Sequence, residues 1–104
     1  MASIFTKIIN REIPAEIIFE NNNIIVIKDI NPEAKTHLLI IPKEEIPSIN
    51  DLTIKDNNLL IELFEVAKNI AKELNIEEWY KLHFNVWPKE QDVMHIHLHL
   101  LSNI

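Results

Sequence analysis

The period of the hydrophobic positions changes several times along this chain, and each change marks an element. Ile4, Phe5, Ile8 and Ile9 recur at helical spacing behind Ser3, which predicts one or two helical turns capped by Ser3 and closed by Pro14. Ile17 to Glu20 and Ile24 to Lys28 are β-branched runs parted by Asn21-Asn22-Asn23, a hairpin signal. Asp29-Ile30-Asn31-Pro32 opens a loop, because the residue before a proline is pushed out of the helical region. Thr36 to Ile41 is nearly continuously apolar, starts with His37 in second place and ends at Pro42, which suits a strand covered on both faces. Thr53 and Asp56 then form a capping-box pattern, and Leu59, Leu60, Leu63, Val66, Ala67, Ile70 and Leu74 recur at threes and fours. That predicts a helix of about five turns, stopped at Asn75 by a left-handed cap. Trp79 to Val86 reads as a strand, Trp87 to Gln91 as a turn and Val93 to Leu101 as a final strand, with no repeat or linker anywhere.

Composition narrows the field. The chain has 104 residues, 47% hydrophobic and 25% charged, which fits a single domain over 1–104. A formal charge of -6 argues against a protein that coats a nucleic-acid backbone with cations. No stretch approaches the roughly 20 apolar residues that span a bilayer, and the N-terminus resembles no secretory leader, so the expected location is cytoplasmic, away from membranes. The absence of cysteine excludes disulfides, thiolate zinc sites and cysteine nucleophiles, leaving histidines and carboxylates to carry any chemistry. There are 20 isoleucines and no glycine, so no glycine-rich phosphate loop exists, and backbone positions with positive φ fall to residues such as Asn.

The chemistry concentrates near the carboxyl end. Met94-His95-Ile96-His97-Leu98-His99-Leu100 alternates strictly, so a strand here would put three imidazoles on one face and Met94, Ile96, Leu98 and Leu100 on the other. Three readings compete. The histidines are the wet side of an amphipathic strand; or they hold a metal, since His-x-His on a strand is good zinc geometry, although no further ligand is clearly nominated. In the third, one neutral imidazole attacks phosphorus while its neighbours fix its tautomer and donate to phosphate oxygens.

His95-Ile96-His97-Leu98-His99-Leu100-Leu101 resembles the signature of the histidine triad nucleotide-binding family. Ile4-Phe5-Thr6-Lys7-Ile8-Ile9, Glu12-Ile13-Pro14-Ala15, Ile18-Phe19-Glu20, Asp29-Ile30-Asn31-Pro32 and Thr36 to Lys43 are similar to successive blocks of its Hint branch, the purine nucleoside phosphoramidases. The resemblance covers nearly the whole chain. It implies an α+β fold, a five-stranded antiparallel sheet with one long and one short helix, and a homodimer in which long helices and one strand from each subunit pair. It implies a purine nucleotide substrate of the AMP or GMP kind and no cofactor or metal. His97 would be the nucleophile on the α-phosphorus, His99 the donor to phosphate oxygens, and His95 and His37 the residues that orient the row. Asp29 would accept from the ribose hydroxyls, Ile4, Phe5, Ile8, Ile27 and Ile30 would line the base slot, and Asn85 and Gln91 would face the phosphate.

The chain also departs from the family. Asn85 to Met94 contains no glycine and is one residue shorter than the usual phosphate loop, and Asp92 stands where a hydroxyl donor is expected. A carboxylate ~4 Å from a phosphate charge costs about 4 kcal/mol in a partly screened site. Asp92 therefore swings aside, or is protonated and serves as acid for the leaving group, or turnover is weak and the chain is a nucleotide-binding scaffold. The triad is followed only by Leu101-Ser102-Asn103-Ile104, without the family's glycine pair and longer tail.

Overall fold

A computed structural model describes residues 2–86 and 93–104. The elements are α1 (Ile4–Ile9), β1 (Ile17–Glu20), β2 (Ile24–Lys28), β3 (Thr36–Pro42), α2 (Asn57–Glu73), β4 (Lys81–His83) and β5 (Leu98–Ser102). The strands form one antiparallel sheet in the order β1-β2-β3-β5-β4. The sheet separates two apolar clusters. Leu63, Val66, Ala67, Ile70 and Ala71 of α2 pack on Ile24, Val26, Leu38, Ile40, Leu98 and Leu100. Phe5 and Ile8 of α1 pack on the alternate residues Ile25, Ile27, Leu39 and Ile41. Strands buried on both faces lose the polar alternation of a one-sided sheet, which is why β2 and β3 read as unbroken apolar runs.

Local chemistry sets the boundaries. Ser3 caps α1 by accepting from Thr6 N. The β1–β2 turn is held by Asn21, whose Oδ1 accepts from Asn23 N at 2.9 Å and Ile24 N at 2.8 Å, an Asx turn that needs no glycine. The Thr53 and Asp56 capping box forms, on a 3-10 turn over Ile54–Asp56 that leads into α2. Asn75 takes the expected left-handed conformation at φ 58°, and Arg11 does so at φ 64° just past α1.

Two strands are shorter than the pattern predicts. The segment expected as a strand over Trp79–Val86 pairs only at Lys81–His83, because Trp79 N is taken by a turn to Ile76 O. The final strand begins at Leu98 and not at Val93. In the β3–β5 register Ile40 faces Leu98, so Ile41 would face His97 and Pro42, which has no N–H to give to the ladder, would face Ile96. Ile96 N turns instead to Ile46 O at 2.7 Å. Met94, expected on the core-facing side, lies in this bend and is 40% exposed. The turn expected at Trp87–Gln91 lies outside the described residues.

Candidate active site

On the α1 side of the sheet the cross-strand pairs line up Leu39 with His99 and His99 with His83, while His37 precedes Leu39 by one pleat. His95 and His97 come from the irregular segment before β5 and are not strand residues, contrary to the expected alternation. Their rings still gather with His99. His97 lies 4.9 Å from His99 and 4.9 Å from Phe5 between ring centres, and Phe5 lies 5.7 Å from His95. All three are buried, as is His37.

Beside them is a cavity of about 290 Å³. Ile4, Phe5, Ile8, Ile27 and Ile30 line its apolar part, together with Ile13, Pro14, Ala15, Leu39 and Val93. Asp29, Lys28, Asn85, His97 and His99 supply its polar side. Ile30 is 89% exposed and so forms the rim, not the slot. His37 and His95 stand outside the lining, behind His99 and His97. Gln91 and Asp92 lie outside the described residues.

Hydrogen bonds fix which nitrogen of each ring carries hydrogen. A carbonyl only accepts, so the 2.8 Å contact from His97 Nδ1 to the His95 carbonyl puts hydrogen on Nδ1, which in the neutral ring leaves the lone pair on Nε2. Likewise His95 Nε2 donates to the Pro42 carbonyl at 2.7 Å, and its Nδ1 accepts from the Ser3 hydroxyl at 2.6 Å. Glu33 N donates to His37 Nδ1 at 3.1 Å, which leaves hydrogen on His37 Nε2. That nitrogen is 2.9 Å from His99 Nδ1 and 3.4 Å from Asp29 Oδ2. His99 Nδ1 is then an acceptor, and its hydrogen sits on Nε2. The Asn85 amide comes within 3.3 Å of His99 Nε2, and with hydrogen on that nitrogen the half-turn that presents the amide oxygen is the one that bonds. Asp29 Oδ1 accepts from Asn31 N at 2.9 Å, an Asx turn that holds the carboxylate against the cavity.

Burial favours uncharged rings. His99 is pushed down to about 4, first by desolvation and then by the cations that His97, His83 and His37 can become, with Asp29 opposing. Desolvation also lowers His95, against the pull of the Pro42 carbonyl and Glu45. His83, stacked on His99 with ring centres 4.5 Å apart and planes 4° from parallel, is lowered by desolvation and by Lys81. Asp29, His37 and His99 each place one ligand atom within 4.8 Å of the others, a spacing that a divalent ion spans. A metal-bound imidazole, however, normally donates its second N–H. Here the second nitrogen of His37 accepts from a backbone N–H, so that ring lacks the second N–H that a metal-bound imidazole would donate.

The sequence singled out neither His83 nor the Ser3 contact. The signal for His83 was present, since it stands two residues before Asn85, the spacing that puts side chains on one face of an extended chain. Ser3 and His95 are 92 positions apart and no local pattern joins them.

Over residues 2–104 the chain matches the family model described as scavenger mRNA decapping enzyme C-term binding. It is 42% identical over 102 residues to a purine nucleoside phosphoramidase of Escherichia coli, covering 96% of this chain and 86% of that one. The chain belongs to the histidine triad family. Solved structures of family members agree: a HIT family hydrolase from Legionella pneumophila superposes with a TM-score of 0.96 at 46% identity, covering 99% of this chain and 94% of that one. Another from Clostridium thermocellum gives 0.92 at 39% identity, covering 98% and 90%. The α+β fold with a five-stranded antiparallel sheet is therefore the fold of the histidine triad family. Among the described residues no helix is long and apolar enough to cross a membrane.

Proposed function

We propose that this histidine triad protein is a nucleotide-binding hydrolase that cleaves nucleoside 5'-phosphoramidates, or related nucleotidyl conjugates, at the α-phosphorus. The observation that carries the proposal is the tautomer of His97: Nδ1 donates to the His95 carbonyl, so the lone pair is on Nε2, in a ring that lines the cavity. Nε2 attacks phosphorus as the bond from phosphorus to the leaving amine breaks; the amine departs with a proton taken from solvent water, and the nucleotidylated ring, still bearing hydrogen on Nδ1, carries the positive charge. Water then cleaves the nucleotidyl-histidine, releasing the nucleoside monophosphate and restoring the imidazole. On phosphate binding, His99 Nε2–H would pass from the Asn85 amide oxygen to a phosphate oxygen, and its low pKa keeps it an uncharged donor at neutral pH. The apolar slot between α1 and β2 suits a purine base, and Asp29 suits ribose hydroxyls. The relative named purine nucleoside phosphoramidase supports this substrate class.

The working form is a homodimer. Ile61 and Phe64 of α2 are 61% and 41% exposed, and β4 is an edge strand of the sheet, which supplies a helix face and a strand edge for a second copy. The protein works in the cytoplasm and needs no metal.

The test is hydrolysis of an adenosine phosphoramidate by the wild type and by His97→Ala. A loss of at least about three orders of magnitude is expected. Equal rates would end the mechanistic claim. A second reading rests on the glycine-free 87–92 segment with its Glu90 and Asp92: a nucleotide-binding scaffold with weak turnover. Calorimetric AMP binding without hydrolysis by the wild type would select it.

A further inference from the structure

The start of α1 is tied to the imidazole row by a chain of hydrogen bonds that the phosphate chemistry does not itself require. Ser3 Oγ accepts from Thr6 N at 3.0 Å as the helix cap and contacts His95 Nδ1 at 2.6 Å. Glu45 Oε1 accepts from both Ser3 N and Thr6 Oγ1, each at 2.7 Å, which pins the serine from the side of the β3–α2 loop. With the Thr6 hydroxyl hydrogen committed to Glu45, the Ser3 hydrogen has two acceptors, His95 Nδ1 at 2.6 Å and Thr6 Oγ1 at 3.3 Å. His95 is 0% exposed and its Nε2–H is committed to the Pro42 carbonyl, so Nδ1 would be a buried acceptor without a donor if the serine turned away. His95 is thus held at both nitrogens, and its own carbonyl accepts from His97 Nδ1.

We propose that Ser3 is a positioning residue for His97: its hydroxyl holds His95 as the Nε2–H tautomer, and the anchored His95 aims its carbonyl so that His97 keeps its hydrogen on Nδ1. The proposal rests on the reading of His97 as nucleophile. It assigns to Ser3 a role separate from capping, which any side-chain oxygen at this position performs. Thr6 and Glu45 serve by fixing where the hydroxyl points. Phe5, which meets both His95 and His97 edge-on, ties the same helix to the rings by packing alone.

Three substitutions separate the two roles. Ser3→Thr keeps the cap and the hydroxyl donor; Ser3→Asp keeps a cap acceptor but accepts from His95 Nδ1 where serine donates; Ser3→Ala loses both. The readouts are the imidazole ¹⁵N shifts of His95 and His97, kcat and KM for an adenosine phosphoramidate, and the melting temperature. Ser3→Thr is expected to show wild-type nitrogen shifts and a kcat within about threefold of the wild type. Ser3→Asp is expected to keep the helix cap but melt lower than Ser3→Thr, put hydrogen on His95 Nδ1, mix the His97 tautomers and lower kcat about tenfold or more with KM little changed. Wild-type shifts for His95 and His97 in Ser3→Asp would overturn the proposal, as would altered shifts with an unchanged kcat. Should the wild type show no turnover, the hydrolase reading fails by itself, and the nitrogen shifts of His97 in Ser3→Asp still decide whether Ser3 governs that ring.

Discussion

Lowering the pH from 7 to 5 should weaken this fold more than its surface charges require, and His99 sets the size of the effect. Its pKa is about 4 in the native protein, where it sits under His83 and against His37, and 6.5 when unperturbed in the unfolded chain. Between those values the unfolded chain binds a proton that the native state refuses, so stability is fully present above pH 6.5 and drains away as pH falls toward 4. For one such group the loss from pH 7 to pH 5 is about 2 kcal/mol. His95 and His83 are shifted in the same direction and add to it. Glu20 and Glu45 also have lowered pKa values, but they bind protons below their usual 4.5 and contribute only in stronger acid. Urea unfolding at pH 7 and pH 5 at one protein concentration should show the midpoint falling by about 1 M. In His99→Asn most of that acid loss should vanish. A wild-type midpoint that does not move, or an identical acid loss in the variant, would refute the account of His99 as a buried neutral ring.

Three further expectations concern separate parts of the molecule. His83→Ala uncovers His99 and removes a neighbouring cation, so the His99 pKa should rise above about 4 in an NMR titration, and a fall would contradict the stacking argument. Leu63→Ala empties a fully buried position on the α2 side and should cost about 2–5 kcal/mol in urea unfolding; a cost below about 1 kcal/mol would mean that this cluster is not the main core. Asn75→Ala forces a Cβ-bearing residue without a helpful amide into φ 58° and should cost about 1 kcal/mol, while Asn75→Gly should cost nothing.

The hairpin, the long helix and the doubly buried strand were legible because their signals are local: Asn21 supplies its own turn, α2 carries a stripe at threes and fours, and β3 is apolar without a break from Leu38 to Pro42. The resemblance to a known family nominated Asp29, Asn85, His97, His99 and the isoleucines of α1 and β2 for separate roles, and the structure brings all of them to the lining of one cavity. What the pattern could not give was where β5 begins. Alternation at 94–100 looks like strand throughout, but strand needs a partner, and Pro42 withdraws it at the position facing Ile96. The tautomers were equally out of reach, since each depends on a carbonyl or amide brought from elsewhere: Pro42 for His95, Glu33 for His37.

β3 serves both sides of the sheet, with Leu38 and Ile40 turned to the long helix and His37, Leu39 and Ile41 turned to the short one. Sliding β3 by a single residue against β5 would swap these sets, thrusting an imidazole among the aliphatic side chains of α2. The β3–β5 pairing and the meeting of His37 with His99 are thus one and the same requirement. A chain paired out of step would lose both apolar clusters and the gathering of its imidazoles together.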